Sequence, residues 1–157
     1  MTRKETTENL TLEAIRYLVG RGYAVYREIS IAGGNSLRGD VVGINSKKEI
    51  VVIEVKSGKA DYKSDTKWVK YLAFCHKLYF LFPENTIDSI VPLPGKGTGI
   101  LSLTNGLPKV FRNAEKREVD KDDIDRLLIR MAFRSSLSSF KERKTIQRAN
   151  KRRKTNL

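Results

Sequence analysis

Two segments, DVVGI from Asp40 to Ile44 and EIVVIEVK from Glu49 to Lys56, flank the four residues NSKK and are apolar on both alternations of a strand. A strand pair of that kind has to be covered on both sides, which predicts the middle of a sheet with helices packed on its faces. NSKK is a short connection rich in residues that favour hairpin turns. The same two segments nevertheless carry Asp40, Glu54 and Lys56, and charged groups are costly to bury unless they are paired or bound to metal. Either these strands are exposed, or the charges form a site.

The turn centres near residue 47, so Asp40 lies seven residues before it and Glu54 seven after. Opposed residues on paired strands project together, and alternate residues on one strand share a face, so Asp40, Glu54 and Lys56 are expected to converge at the end of the hairpin away from the turn. Two carboxylates a few ångströms apart in an apolar setting repel each other and lose hydration. A hard divalent cation would relieve both penalties, and Mg²⁺ is commonly held by one or two carboxylates while it keeps waters and phosphate oxygens. Lys56 is then placed to orient a water or to stabilise negative charge on a phosphate. The competing reading is a structural ion pair between Lys56 and one of the two carboxylates.

The remaining pattern fits an α/β domain. Residues 3–20 have helical spacing, with Thr2 and Glu5 at capping-box separation, an apolar face of Leu10, Ala14, Ile15, Leu18 and Val19, and Gly20 and Gly22 as a stop. Ala24 to Ile31 reads as a strand and AGGNSLRG as a loop. Residues 59–76 return to helical spacing with Trp68, Val69, Leu72 and Cys75 on one face, and KLYFLF is a short strand closed by Pro83. The stretch ENTIDSIVPLPGKGTG reads as loop, GILSL as a last short strand, TNG as a turn, and Asp120 as the start of a long helix whose stripe is Ile124, Leu127, Leu128 and Met131. The expected order is helix, three strands, helix, strand, loop, strand, helix: a small mixed sheet flanked by helices over residues 1–140, followed by a basic tail, 141–157.

Charge narrows the partner. The net charge is +13, and Lys141 to Lys154 supplies +7 of it from eight basic residues and one acid, so the body is basic as well. Such an excess draws a polyanion, and nucleic acid is the expected partner. A run of this kind is either a solvated tail or a phosphate-gripping arm, and the basic body favours the arm. Candidate phosphate contacts are Arg38, Lys59, Lys63 and Lys67 beside the hairpin, and Arg143, Lys144, Arg148, Lys151, Arg152 and Arg153 in the tail. No apolar run approaches about 18 residues and the first residues are polar, which predicts a cytoplasmic protein, nucleoid-associated or viral, with no membrane contact. The single cysteine, Cys75, excludes an intramolecular disulfide and a multi-cysteine zinc site.

Asp40 followed by Glu54-Val55-Lys56 on the next strand resembles the PD-(D/E)XK nuclease superfamily, and the expected element order is similar to its restriction-endonuclease-like core. Within it, IEVKSGKADYKSDTKWVKYLAFCHKLYFLFP resembles the MmcB family of proposed DNA-repair nucleases through EVKS, the AD-x-x-x-D-x-KW helix start, YL-x-x-C and the YF strand before proline. Where that family usually carries acids beside the cysteine, this chain has Ala73 and His76. The resemblance implies a Mg²⁺-dependent deoxyribonuclease, with Mn²⁺ as a substitute and no small-molecule cofactor, in DNA repair, recombination or processing. It implies Asp40 and Glu54 as metal ligands, the Val55 carbonyl as another, and Lys56 as the catalytic lysine. It also implies an acid from the first helix, Glu13 ahead of Glu8. Double-strand cutting by so small a domain would require a homodimer. From another class, a nucleic-acid-binding protein that keeps the fold without catalysis is the alternative.

Other residues have plainer readings. Asp61, Asp65 and Lys67 fall at the expected start of the second helix, where the helix dipole accounts for an acid. Trp68 reads as core before base-stacking platform, and Cys75 as a small core residue. His76, the only histidine, has no second ligand nearby in sequence. AGGNSLRGD lacks a nucleotide-binding pattern and is either a groove-contacting loop or a surface turn.

Overall fold

The computed structural model describes residues 1–33, 37–136 and 147–152. Helix α1, Arg3–Val19, begins as its sequence dictates: the Thr2 hydroxyl accepts from the Glu5 amide, and the Glu5 carboxylate accepts from the Thr2 amide. That reciprocal pairing satisfies two amides that a helix start otherwise leaves orphaned. Six strands follow in one sheet: β1, Ala24–Ser30; β2, Arg38–Ile44; β3, Ile50–Val55; β4, Lys77–Phe82; β5, Gly99–Thr104; and β6, Leu107–Arg112. Their order in space is their order in sequence. Strands β1, β2 and β3 are antiparallel neighbours, β3–β4 and β4–β5 are parallel, and β5–β6 is antiparallel.

The predicted NSKK turn is present and is held by its first residue. The Asn45 side-chain carbonyl accepts from the amides of Lys47 and Glu49, while Lys48 adopts φ +63°. As both-sided apolarity requires, β3 is buried along its whole length. Leu10, Ala14 and Leu18 of α1 cover one face, packing with Val41, Val51, Ile53, Val55, Leu81 and Leu101. The other face is covered by Tyr71, Cys75, Leu127 and Met131 over Val42, Ile44, Ile50, Val52 and Leu78. Leu127 and Met131 come from α4, Lys121–Ser135, which Asp120 caps by accepting from the Asp122 amide.

Two expectations for the chain after β3 need correction. The helix foreseen over 59–76 is two short pieces, α2, Lys59–Ser64, and α3, Trp68–Tyr71. Between them, Asp65 is extended at φ −84° and ψ 113° and its carboxylate caps the Lys67 amide, a local alternative to continuing the helix. Val69, foreseen on the buried face, is exposed. The second correction is β6, which follows GILSL through Asn105-Gly106 at φ +52° and +77°. Asn-Gly with both residues left-handed is the preferred two-residue hairpin connection, and the pairing Thr104↔Leu107 closes directly across it.

Trp68 is half-buried and packs against the core, edge-on to Phe80 beside Tyr62, Phe82 and Ile90. Residues 147–152 are helical and exposed. Among the described residues, no helix is long and apolar enough to cross a membrane.

Candidate active site on the central hairpin

The ladder between β2 and β3 runs from Ile44↔Ile50 to Val41↔Ile53, so continuing its register sets Asp40 opposite Glu54. At that step side chains take over from the backbone. The Asp40 amide donates to Glu54 Oε1 at 3.2 Å, and the Val55 amide donates to Asp40 Oδ2 at 2.8 Å. Each carboxylate thereby grips the other's strand. Gly39 sits tightly beside this pair: a Cβ there would lie 2.6 Å from Val42 Cγ2 and 3.2 Å from Val52 Cγ1, so a larger residue would have to displace those packed valine side chains.

Glu54 is only 4% exposed and Lys56 6%. Burial, and next the neighbouring Asp40 charge, push the Glu54 carboxyl well above its ordinary range. Burial also raises Asp40, against the opposing pull of the Val55 amide and Lys56. The two acids therefore share a site that disfavours full ionisation, chiefly through lost hydration and, at Glu54, also through the Asp40 charge beside it. The same field reaches the α3 face: Tyr71 is raised by burial, then by Glu54 and Asp40, while its hydroxyl donates to the Arg38 carbonyl. Burial pushes the Cys75 thiol to about 12, and its Sγ donates to the Tyr71 carbonyl, so it is an inert core group.

Lys56 is close enough for its charge to lower Asp40, Glu54 and Asp61, yet it is bonded to none of them. Its ammonium donates to Asp65 Oδ2 at 2.6 Å, with side chains 7% and 11% exposed. The ion pair foreseen between Lys56 and Asp40 or Glu54 does not form; Lys56 pairs instead with an acid from outside the triplet. Asp61 binds instead to the Ser57 amide and hydroxyl at 2.9 and 3.2 Å, and to Arg3 at 3.0 Å. Burial works to raise Asp61, but the Ser57 amide, Lys56 and Arg3 outweigh it and hold the carboxyl low.

The first-helix acids separate clearly. Glu13 pairs with Arg16 at 2.6 Å and is absent from the lining of the cavity beside Asp40. Glu8 lines that cavity, about 130 Å³, together with Thr7, Thr11, Arg27, Glu28 and Asp40. Arg27 engages both Glu8 oxygens, at 3.1 and 3.0 Å. Sequence reasoning passed over Glu28, which the register of β1 on β2 sets opposite Asp40. Its φ of +48° breaks the strand's alternation there, and Arg134 of α4 donates to the Arg27 and Glu28 carbonyls at 2.8 and 3.1 Å. No signal in the sequence marks a left-handed glutamate inside a strand.

The donor set suits a hard cation in part. Among the described residues no group of three or more His, Cys, Asp and Glu side chains is arranged to hold a metal. Asp40 and Glu54 are two adjacent oxygen donors whose shared penalty a cation would reverse, and two carboxylates suffice for Mg²⁺ when waters and phosphate complete its shell. The Val55 amide is committed to Asp40 while its side chain packs into the α1-side core. His76 is occupied structurally, its Nδ1 accepting from the Ile50 amide at 2.9 Å, and burial lowers its pKa.

Of the proposed phosphate contacts, Arg38, Lys59, Lys63 and Lys67 are exposed. Lys59 lines a cavity of about 370 Å³ with Arg3, Ser57 and Asp61, next in the chain to Lys56. Arg148, Lys151 and Arg152 are exposed in the helical residues 147–152, whereas Arg143, Lys144 and Arg153, with the loop residues Gly34, Asn35 and Ser36, lie outside the described residues.

The fold has a structural counterpart. A protein of unknown function from Silicibacter pomeroyi superposes with a TM-score of 0.75 at 25% identity, over 88% of this chain and 91% of its own. No curated protein matches the chain. The family model for MmcB-like DNA repair proteins matches residues 2–144, which takes in α1, the whole sheet and α4. The chain belongs to the MmcB-like family of DNA repair proteins.

Proposed function

We propose that the chain is a metal-dependent DNA endonuclease that hydrolyses phosphodiester bonds in DNA repair, recombination or processing. The observation that carries this reading is the pair of carboxylates, half-buried Asp40 and buried Glu54, held together at the end of the hairpin with Lys56 two residues beyond Glu54. A fold without a site has little reason to keep two like charges adjacent in its core, since burial and mutual repulsion both oppose it. Mg²⁺, or Mn²⁺ in its place, would be held by Asp40 and Glu54 with the Val55 carbonyl; when bound it would polarise the scissile phosphate and lower the pKa of an attacking water. The crossed amide bonds of Asp40 and Glu54 fix both carboxylates before substrate arrives, so little reorganisation is needed. Lys56 stabilises negative charge developing on the phosphate. The exposed Arg38, Lys59, Lys63 and Lys67 bind the DNA backbone without reading its sequence.

A DNA-binding protein without catalysis is the second reading, favoured by the observation that Lys56 is already satisfied by Asp65. It predicts tight, salt-sensitive binding that needs no divalent ion. A cleavage panel separates the two readings: plasmid, single-stranded and branched DNA with Mg²⁺, using wild type, Asp40→Ala, Glu54→Ala and Lys56→Ala. Cutting by wild type and its loss in the three variants is expected. Wild type that cuts no substrate, or variants that cut equally well, would remove the catalytic claim.

A further inference from the structure

We infer that Asp65 is a positioning residue for Lys56, holding its ammonium beside the carboxylate pair and off it. This rests on the nuclease reading. Asp65 stands between α2 and α3, where the chain leaves helical geometry, and its side chain is only 11% exposed, so solvation does not explain it. Its two oxygens divide the work. Oδ1 accepts from the Lys67 amide at 2.8 Å, which fixes the carboxylate where the chain enters α3, and Oδ2 accepts from Lys56 Nζ at 2.6 Å. The chain on either side is anchored, because Trp68 packs edge-on against Phe80 and Asp61 holds the Ser57 amide at 2.9 Å. At the other end of the lysine, the Lys56 amide donates to the Leu81 carbonyl at 3.0 Å.

Lysine has a flexible four-carbon stem and a compact charge that follows the nearest anion. Without Asp65, the acids left within reach of the Lys56 charge are Asp40, Glu54 and Asp61, and Asp61 is already held by Ser57 and Arg3. An ammonium bonded to Asp40 and Glu54 would occupy the oxygens that bind the metal and leave nothing aimed at the phosphate. The break between α2 and α3, where Asp65 leaves helical geometry, therefore has a function: it turns this carboxylate back onto Lys56.

The test is a double-mutant cycle in single-turnover DNA cleavage with the full chain, using Asp65→Asn, Lys56→Ala and the combination. Asp65→Asn is expected to lower the cleavage rate roughly 10- to 100-fold, the scale of a misplaced catalytic group, with KM for DNA changed less than about twofold. Added to Lys56→Ala it should cost nothing further, because Asp65 acts only through Lys56. Asp65→Glu, which keeps the charge, should recover part of the rate, and it replaces Asp65→Asn in the cycle should that variant fail to fold. A cutting wild type with an unimpaired Asp65 variant, or an additive loss in the Lys56→Ala background, overturns the inference alone. A wild type that cuts nothing overturns the nuclease reading and this role with it.

Discussion

The sheet contains two tight hairpins that treat charge in opposite ways. In β5–β6, Lys109 is exposed on an edge strand, and Arg112 is satisfied by neutral acceptors, the Pro94 carbonyl at 2.6 Å and the Thr98 carbonyl at 2.9 Å among them. In β2–β3, two acids face each other inside the sheet. The first hairpin even has the larger cavity beside it, about 260 Å³ against about 130 Å³ at Asp40. Charge on a strand therefore does not by itself mark a site, and the cavity lined by Ser57, Lys59 and Asp61, about 370 Å³, is larger than either. What sets the central hairpin apart is an arrangement that burial and electrostatics oppose and that the surrounding bonds nevertheless maintain.

The largest expected difference between the hairpins is in activity. Asp40→Ala and Glu54→Ala should each reduce DNA cleavage roughly 10²- to 10⁴-fold, while Lys109→Ala leaves it unchanged in the same assay. Next is stability. Asp65→Ala removes the buried partner of Lys56 and the cap of the Lys67 amide, and should cost about 1–3 kcal/mol in denaturant unfolding, since Lys56 can turn to the remaining acids of the site.

Glu54→Gln should act in the other direction, raising the stability of the metal-free protein by about 0.5–2 kcal/mol near neutral pH, as relief of a strained site commonly does. The sign follows from linkage. The folded state holds the Glu54 carboxyl above its ordinary value of 4.5, so it binds more protons than the unfolded chain above that pH. Stability from this group is present below the ordinary value and is lost as pH rises through the folded one. The wild-type-minus-variant difference in unfolding free energy should therefore fall with rising pH above about 4.5. A flat difference would mean that the acids are not under strain. Smallest of all, Phe111→Ala on the exposed strand β6 should alter stability by under about 0.5 kcal/mol, although its side chain is large and apolar.

The central hairpin was legible because its constraints are local and periodic. Alternation and a four-residue turn suffice to bring Asp40 across from Glu54, whatever the rest of the chain does. Strand β6 was equally local, signalled by Asn105-Gly106, but its sequence LPKVFR contains a proline and packs only at a sheet edge, which weakens the strand pattern. The break at Asp65 follows from a hydrogen bond to Lys67 and an ion pair to Lys56, and helical spacing carries no trace of either. Choosing between Glu13 and Glu8 required knowing how α1 rolls over the sheet. A place one residue before the buried stripe pointed to Glu13, whereas Glu8 lines the cavity beside Asp40. The register between β1 and β2 is set across a loop and not a tight turn, so Glu28 could not be aligned with Asp40 in advance.

A calorimetric titration of Mn²⁺ or Mg²⁺ into the wild-type chain and into Asp40→Asn tests most directly whether the buried acids form a metal site. Saturable binding to wild type, lost in Asp40→Asn while the fold persists, is the predicted result. Absence of binding to wild type, or binding unchanged by the substitution, would contradict it and leave the hairpin's charges as structural groups.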